Sequence, residues 1–540
     1  MPFSTHEVIN QPPPLPERDA FGDHAALAEA LDREGAGWAA DDLHAVGEAA
    51  GSHEALEWGF QADEHPPELK THDRFGHRID LVEYHPAYHR LMETAIGFGM
   101  HAAPWADGRV GAHVARAAKF VTWSPVEYGH GCPVSMTYSV VAALRHAPDL
   151  AAWWEPGLAS TDYDPRPIPA GQKRGLTAGM ALTEKQGGSD VRANTTDAVP
   201  DGDGAYRLTG HKWFVSAPMS DVFLALGQAP GGLSCFLVPR RLPDGAANPF
   251  RIQRLKDKLG DRANASSEVE LDDTWALPVG EEGQGVRTII EMVNHTRLDC
   301  SLGATAQMRH GVVEAVHHAR HRSAFGARLT DQPAMHAVLA DLALESEAAV
   351  AAALRLARAY DEQARRVDDG GFHRIATPVV KYWLCKRAPG HAAEALECLG
   401  GNGFIEESGM PRLFRQSPVN GVWEGSGNVI CLDVLRAMRR SPEAVEAFIA
   451  ELGLAAGADA RFDAALASLP AGLEGASEAG VRRMVERMAV LLQASLLLRF
   501  APSFVADGFV AARIADPGAA YGSLPPGVDC DAIVARALPA

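Results

Sequence analysis

The sequence predicts an α+β protein of several domains: an N-terminal α-helical domain, a middle β-domain, a C-terminal helix bundle and an additional C-terminal helical domain. Three observations predict it. The 540 residues exceed one compact domain, at a prior of about 150 residues each. The hydrophobic share of 46% against 22% charged residues supplies ample core and excludes wholesale disorder. The apolar periodicity changes from helical to strand-like near Gly171 and returns to helical near Arg287.

Residues 1–40 open with a proline-rich strip, Gln11 to Pro16, and continue as an alanine-rich helical pattern, which together read as a docking arm. Residues 41–175 are rich in alanine, leucine and histidine. Breaks at Pro66-Pro67, Asp107-Gly108 and Pro165–Pro169 mark helix ends there. Residues 176–285 carry short β-branched and aromatic segments, Ala205–Ser216, Val222–Gln228, Leu233–Pro239 and Ser267–Asp272, punctuated by turns such as Asp201-Gly202-Asp203-Gly204. Residues 286–440 regain helical spacing, clearest over Ala334–Asp361. Residues 441–540 are helical with a Gly- and Pro-rich end. Their most apolar run, Met488 to Leu498, is far shorter than the roughly 20 residues that cross a bilayer, so it predicts a buried core helix.

Fifty basic and sixty-nine acidic residues give a net charge of −19, which argues against a protein that coats nucleic acid. Only the 286–440 block escapes negative charge, and Arg436, Arg439 and Arg440 share one helix face there. That face suits a phosphate contact, or simply a solvated helix end that complements its dipole. Seven cysteines scattered from Cys132 to Cys530 predict a reducing, cytoplasmic compartment. Met1 to Gln11 lacks the basic and apolar stretches of a secretory signal.

Three remote segments combine glycine with small polar residues. Met180 to Asp190 contains Thr183, Gly187, Gly188 and Ser189, which suit close backbone approach and hydroxyl contacts to a pyrophosphate or ring edge. It also reads as an ordinary turn. Gly210 to Ser216 could lay Trp213 or Phe214 beside a flat heterocycle, or pack them in the core. Gly421 to Asn428 frames Glu424 between Trp423 and glycines, a content few structural helices tolerate. No metal site is expected, since His85 and His89 have no nearby third ligand, and His317, His318 and His321 read as a polar helix face.

Taken in this order, the segments resemble the acyl-CoA dehydrogenase family of flavoproteins. Lys258–Asp273, Val279–Gly285, Arg322–Leu329 and Glu397–Phe404 carry the likeness further. Arg33–Trp38, Pro66–Leu69, His85–His89, Gly171–Leu176, Gly231–Gly245 and Pro418–Arg436 are similar to the AidB-like, alkylation-response branch. The resemblance implies that family's fold with a barrel-like middle domain, a homotetramer of two-fold pairs, and FAD as cofactor. Residue by residue, it places FAD contacts at Met180, Leu182, Thr183, Gly188, Ser189, Phe214, Val215, Ser216, Trp423, Gly425, Ser426 and Asn428. Contacts across a subunit interface fall at Arg322, Phe325, Gly400 and Gly401. Glu397 stands where the family usually has glutamine, and a carboxylate there would repel pyrophosphate unless it turns away.

Glu424 matches the family's catalytic base, while Thr296 occupies the place where some relatives carry theirs and cannot serve. The resemblance thus implies an FAD-dependent oxidoreductase acting on the CH–CH group of an acyl-CoA, with an unidentified electron acceptor. Three roles stay open: an alkylation-response flavoprotein that protects double-stranded DNA, with Arg436, Arg439 and Arg440 as candidate contacts; an ordinary short- or branched-chain dehydrogenase of the isovaleryl-CoA type; and a catalytically silent, flavin-stabilised DNA-binding protein.

Overall fold

The computed structural model describes residues 5–367 and 371–538. The chain divides into two compact units, Glu54–Asp299 and the combination of Met1–His53 with Cys300–Ala540. Each is described by itself.

The first unit contains a hairpin inside its helical N-terminal part, β1 (Glu68–His72) and β2 (Arg78–Glu83). This departs from the helical expectation for the stretch. Alternating exposure along β1 and the tight turn at Asp73, whose carboxylate accepts from the amides of Phe75 and His77, explain the strand pair. The main sheet comes next in the chain: β3 (Ala178–Ala181), β4 (Asp197–Pro200), β5 (Tyr206–Ser216), β6 (Val222–Ala229), β7 (Gly232–Pro239), β8 (Phe250–Leu255) and β9 (Ser266–Val279). Pairing runs β6–β4–β5–β9–β7 and back to β6, which closes a ring; β3 joins β6 in parallel and β8 pairs with β9.

The two faces of β6 and β7 show why the middle domain sits where it does. Val222, Leu224, Leu226, Cys235 and Leu237 pack with Met136, Val140 and Leu144 of the Gly131–Leu144 helix. The intervening Phe223, Ala225, Phe236 and Val238 face a second core with Leu208, Val215, Phe250 and Val269. Period-two alternation therefore buries both faces, and both strands read as continuous apolar runs rather than as alternating ones. The helical layer of this unit is tied by Arg116, 1% exposed, which grips both carboxylate oxygens of Asp299 and donates Nε to Met100 O at 2.7 Å.

In the second unit the Gly371–Cys398 helix packs against the Pro333–Ala364, Gly427–Arg440, Pro442–Gly453 and Val481–Phe500 helices. The last of these contains the apolar run expected to be buried, and Leu491, Leu492, Leu496 and Leu497 are. Residues beyond 440 are integral to this unit. Arg513 pairs with Asp341 and Glu345, Arg387 joins Glu345 at 2.8 Å, and Glu451 bridges Arg355 at 2.9 Å and Arg499 at 2.7 Å. Burial raises the Glu345 carboxyl's pKa, but Arg387 and Arg513 outweigh it and hold it down at about 2. Among the described residues, no helix is long and apolar enough to cross a membrane.

Candidate active site

In the Glu54–Asp299 unit, β3 delivers Met180 to a loop formed by Leu182, Thr183 and the turn Glu184–Gly187, with Gly187 at φ 148°. A Cβ on Gly188 would lie 2.5 Å from Thr183 Oγ1, so only glycine leaves that hydroxyl open. The loop is fastened to β5 by Trp213 N donating to Thr183 O at 2.8 Å and Lys185 N donating to His211 Nε2 at 2.9 Å. Beneath it lies an ion pair with both side chains fully buried. Lys212 Nζ reaches Glu184 Oε1 at 2.8 Å, and the carboxylate also accepts from the amides of Thr195 and Thr196 and from the Thr196 hydroxyl. Burial raises the Glu184 pKa, yet Lys212 and these donors outweigh it and bring it to about 2. Burial lowers the Lys212 ammonium, with Glu184 opposing.

A bulge in β5 between Lys212 and Val215 sets which side chains face out. Val215 is buried, whereas Phe214 is 53% exposed. Val215 can therefore meet a ligand only through its backbone, a distinction invisible in the motif. Lys256 Nζ sits between the two aromatic rings, 3.3 Å from the Trp213 centroid and 4.5 Å from that of Phe214. Met180 and Leu182 are half-buried, Ser189 is exposed, and Ser216 Oγ lies 3.4 Å from Ser266 Oγ. Half-open apolar groups, available hydroxyls and glycine amides on this loop and the end of β5 fit a flat ring bearing a polar tail.

In the other unit, Glu424 sits in a turn at φ 58°, followed by Gly425 at φ 112°. That conformation is strained for a residue with a side chain. Its anchor is Lys381, 1% exposed on the Gly371–Cys398 helix, whose Nζ donates to Trp423 O at 3.0 Å and Gly425 O at 2.6 Å. Both carbonyls flanking Glu424 are thereby held. Trp423 Nε1 donates to Asn420 Oδ1 at 2.9 Å, and Arg482 Nε donates to Asn428 Oδ1 at 2.8 Å. Ser426 is the N-cap residue of the Gly427–Arg440 helix. Replacing Lys381 with methionine is expected to leave the fold intact but reduce turnover at least tenfold, because the carbonyls of Trp423 and Gly425 lose their shared donor and the turn relaxes. Steady-state kinetics beside a urea unfolding curve checks this.

Lys381, Asn420 and Arg482 escaped sequence reasoning. A lone lysine within Pro378-Val379-Val380-Lys381-Tyr382-Trp383-Leu384 was the available signal, since a charge inside an apolar run is buried only with partners.

The same unit presents a hairpin, β10 (Ser323–Ala324) and β11 (Ala327–Arg328), whose two-residue turn, Phe325-Gly326, has φ 55° and 83°. Phe325 is fully exposed. Gly400, at φ 59°, and Gly401 have nothing within 4 Å of an added Cβ, so that loop is open. Glu397 is exposed on the last turn before it. Thr296, in the first unit, is buried and donates its hydroxyl to Val293 O at 2.9 Å within its own helix. Arg436, Arg439 and Arg440 are exposed at the end of their helix, with Arg436 3.6 Å from Asp433.

Residues 10–165 match the family model of the adaptive response protein AidB N-terminal domain; residues 179–274 and 283–439 match the acyl-CoA dehydrogenase middle and C-terminal domains. AidB of Escherichia coli (strain K12) is 45% identical over 505 residues, 93% of each chain. Acyl-CoA dehydrogenase family member 11 of Caenorhabditis elegans is 32% identical over 76% of this chain and 68% of its own. Among solved structures, Caenorhabditis elegans ACDH-11 in complex with C11-CoA superposes with a TM-score of 0.85 at 26% identity, over 99% of this chain and 93% of that one.

Proposed function

Because the chain belongs to the acyl-CoA dehydrogenase family of FAD-dependent oxidoreductases, in its AidB-like branch, we propose that it dehydrogenates the Cα–Cβ bond of an acyl-CoA with Glu424 as base. The observation that carries this reading is the Glu424 turn, a single carboxylate held in a strained conformation by a buried lysine. In this reading Glu424 takes the proton from Cα, which requires the carboxylate within about 3 Å of it. When bound, FAD supplies the oxidising power by accepting the hydride that leaves Cβ. In this reading Met180, Leu182, Thr183, Gly188, Ser189 and Phe214 to Ser216 are the flavin contacts of the one unit, and Trp423, Gly425, Ser426 and Asn428 those of the other. The assembly is a homotetramer in which Arg322, Phe325, Gly400 and Gly401 serve the cofactor of a neighbouring copy. The ACDH-11 complex supports an acyl-CoA ligand.

Anaerobic titration of the yellow protein with a panel of acyl-CoA thioesters tests the reading. At least one short or branched thioester should bleach the flavin, and a colourless protein that takes up no FAD would overturn it.

A second activity, protection of duplex DNA, has one favouring observation. The tail beyond residue 440 engages six of its seven basic residues internally: Arg461, Arg499, Arg513 and Arg536 are ion-paired, Arg482 and Arg487 donate to neutral groups, and Arg483 is exposed. The exposed Arg436, Arg439 and Arg440 face then offers a cluster of cations for phosphates. Replacing all three by alanine should reduce the slope of log affinity against log salt by about 2–3. A gel-shift series over salt measures it, and an unchanged slope rules the face out.

A further inference from the structure

The Arg322–Leu329 hairpin pairs only two residues on each side, too few to hold itself together, and it carries a phenylalanine in the left-handed region. Its base must be held from outside. Leu329 N donates to Arg322 O at 2.9 Å and Gln332 Nε2 donates to Ala324 O at 2.8 Å. The remaining support comes from the N-terminal arm, more than three hundred residues away in sequence.

Asn10 supplies it with a side chain that imitates a strand. Its Nδ2 donates to Ser323 O at 2.8 Å while its Oδ1 accepts from Ser323 N at 2.8 Å. Both backbone groups of Ser323 are thus satisfied by one amide. Arg322 Nη1 donates to Asn10 O at 2.6 Å, so the guanidinium is also placed by the arm. One residue on, Gln11 Oε1 accepts from Asn402 Nδ2 at 3.2 Å in the Gly400–Phe404 loop. Pro13 O is bonded to His317 Nε2 at 2.8 Å in the helix that leads into the hairpin. The short stretch from Asn10 to Pro13 therefore reaches the hairpin, the glycine loop and that helix.

The sequence suits the task. Asn10 has φ 56°, a region asparagine tolerates better than most residues. Pro12, Pro13 and Pro14 stiffen the next part of the arm, so little entropy is lost on docking.

We propose that Asn10 is a positioning residue: it holds Arg322 and Phe325 in place for the adenosine end of the FAD bound to a neighbouring copy. This rests on the proposed function above. It predicts an effect on one end of the cofactor only. In Asn10→Gly, which keeps the backbone conformation and loses the amide, the dissociation constant for FAD should rise about tenfold while that for FMN, which lacks the adenosine, stays unchanged. Asn10→Asp, which keeps the acceptor for Ser323 N and loses the donor, should fall between. Flavin-fluorescence titration of the apoprotein reads both constants. Hydrogen exchange of the flavin-free protein should quicken at Ser323–Arg328 with the unfolding midpoint unmoved.

Equal weakening of FAD and FMN would show a general structural role and overturn the proposal. So would an unchanged FAD constant in Asn10→Gly alongside a raised one in Phe325→Ala. If Phe325→Ala leaves FAD binding unaltered, the assignment of the hairpin to the cofactor fails and the positioning role falls with it.

Discussion

Replacing Glu424 by glutamine is expected to slow acyl-CoA-dependent bleaching of the flavin by about 10²–10⁴-fold while FAD stays bound. Glutamine matches glutamate in shape and can occupy the same left-handed turn, which Lys381 continues to hold through Trp423 O and Gly425 O. What it loses is the ability to take a proton. The expected separation, full cofactor content with almost no reduction by substrate, is therefore specific to base chemistry. Thr296 offers no substitute, because a threonine hydroxyl is far too weak a base and this one is committed to Val293 O. Stopped-flow measurement at saturating thioester decides the matter. Persistence of wild-type bleaching would assign the base elsewhere.

The second large effect concerns the buried ion pair beneath the proposed flavin loop. Lys212→Met removes the ammonium from a fully buried pair and leaves the Glu184 carboxylate with only amide and hydroxyl donors. Breaking such a pair from one side costs about 3–5 kcal/mol. The loop carrying Thr183, Gly188 and Ser189 loses the ion pair beneath it, so FAD content should fall together with the urea midpoint. The double variant Lys212→Met with Glu184→Gln should regain much of the stability, because no uncompensated charge remains.

The pH dependence has a definite sign. The Glu184 carboxyl titrates at about 2 in the folded protein against 4.5 when unperturbed, so its contribution is complete above the unfolded value and disappears as pH falls through the window between them. Acid unfolding of the wild type and the double variant should therefore diverge most across that window, with the double variant losing less. Parallel curves would show that the pair is not coupled to folding.

Much of this architecture is legible from residue order. The return from strand-like to helical spacing marks the β-domain, and the glycine-laced segments single out Thr183, Ser216 and Glu424. The hairpin at residues 68–83 escapes such reading because its strands are short and its residues mostly polar, which leaves little periodicity. Val215 illustrates a finer limit: a bulge two residues long decides that it faces the core and Phe214 faces out.

Sequence alone determined the order of helical and β segments, the turn chemistry of the glycine loops and the framing of Glu424 between Trp423 and Gly425. These are local properties, carried by spacing of two to four residues and by which side chains tolerate a positive φ. Only the tertiary structure decided that Lys381 braces Glu424, that Lys212 neutralises Glu184 and that Asn10 completes the hairpin at Ser323. Such partners meet across tens to hundreds of residues, where no periodicity links them and only packing brings donor to acceptor.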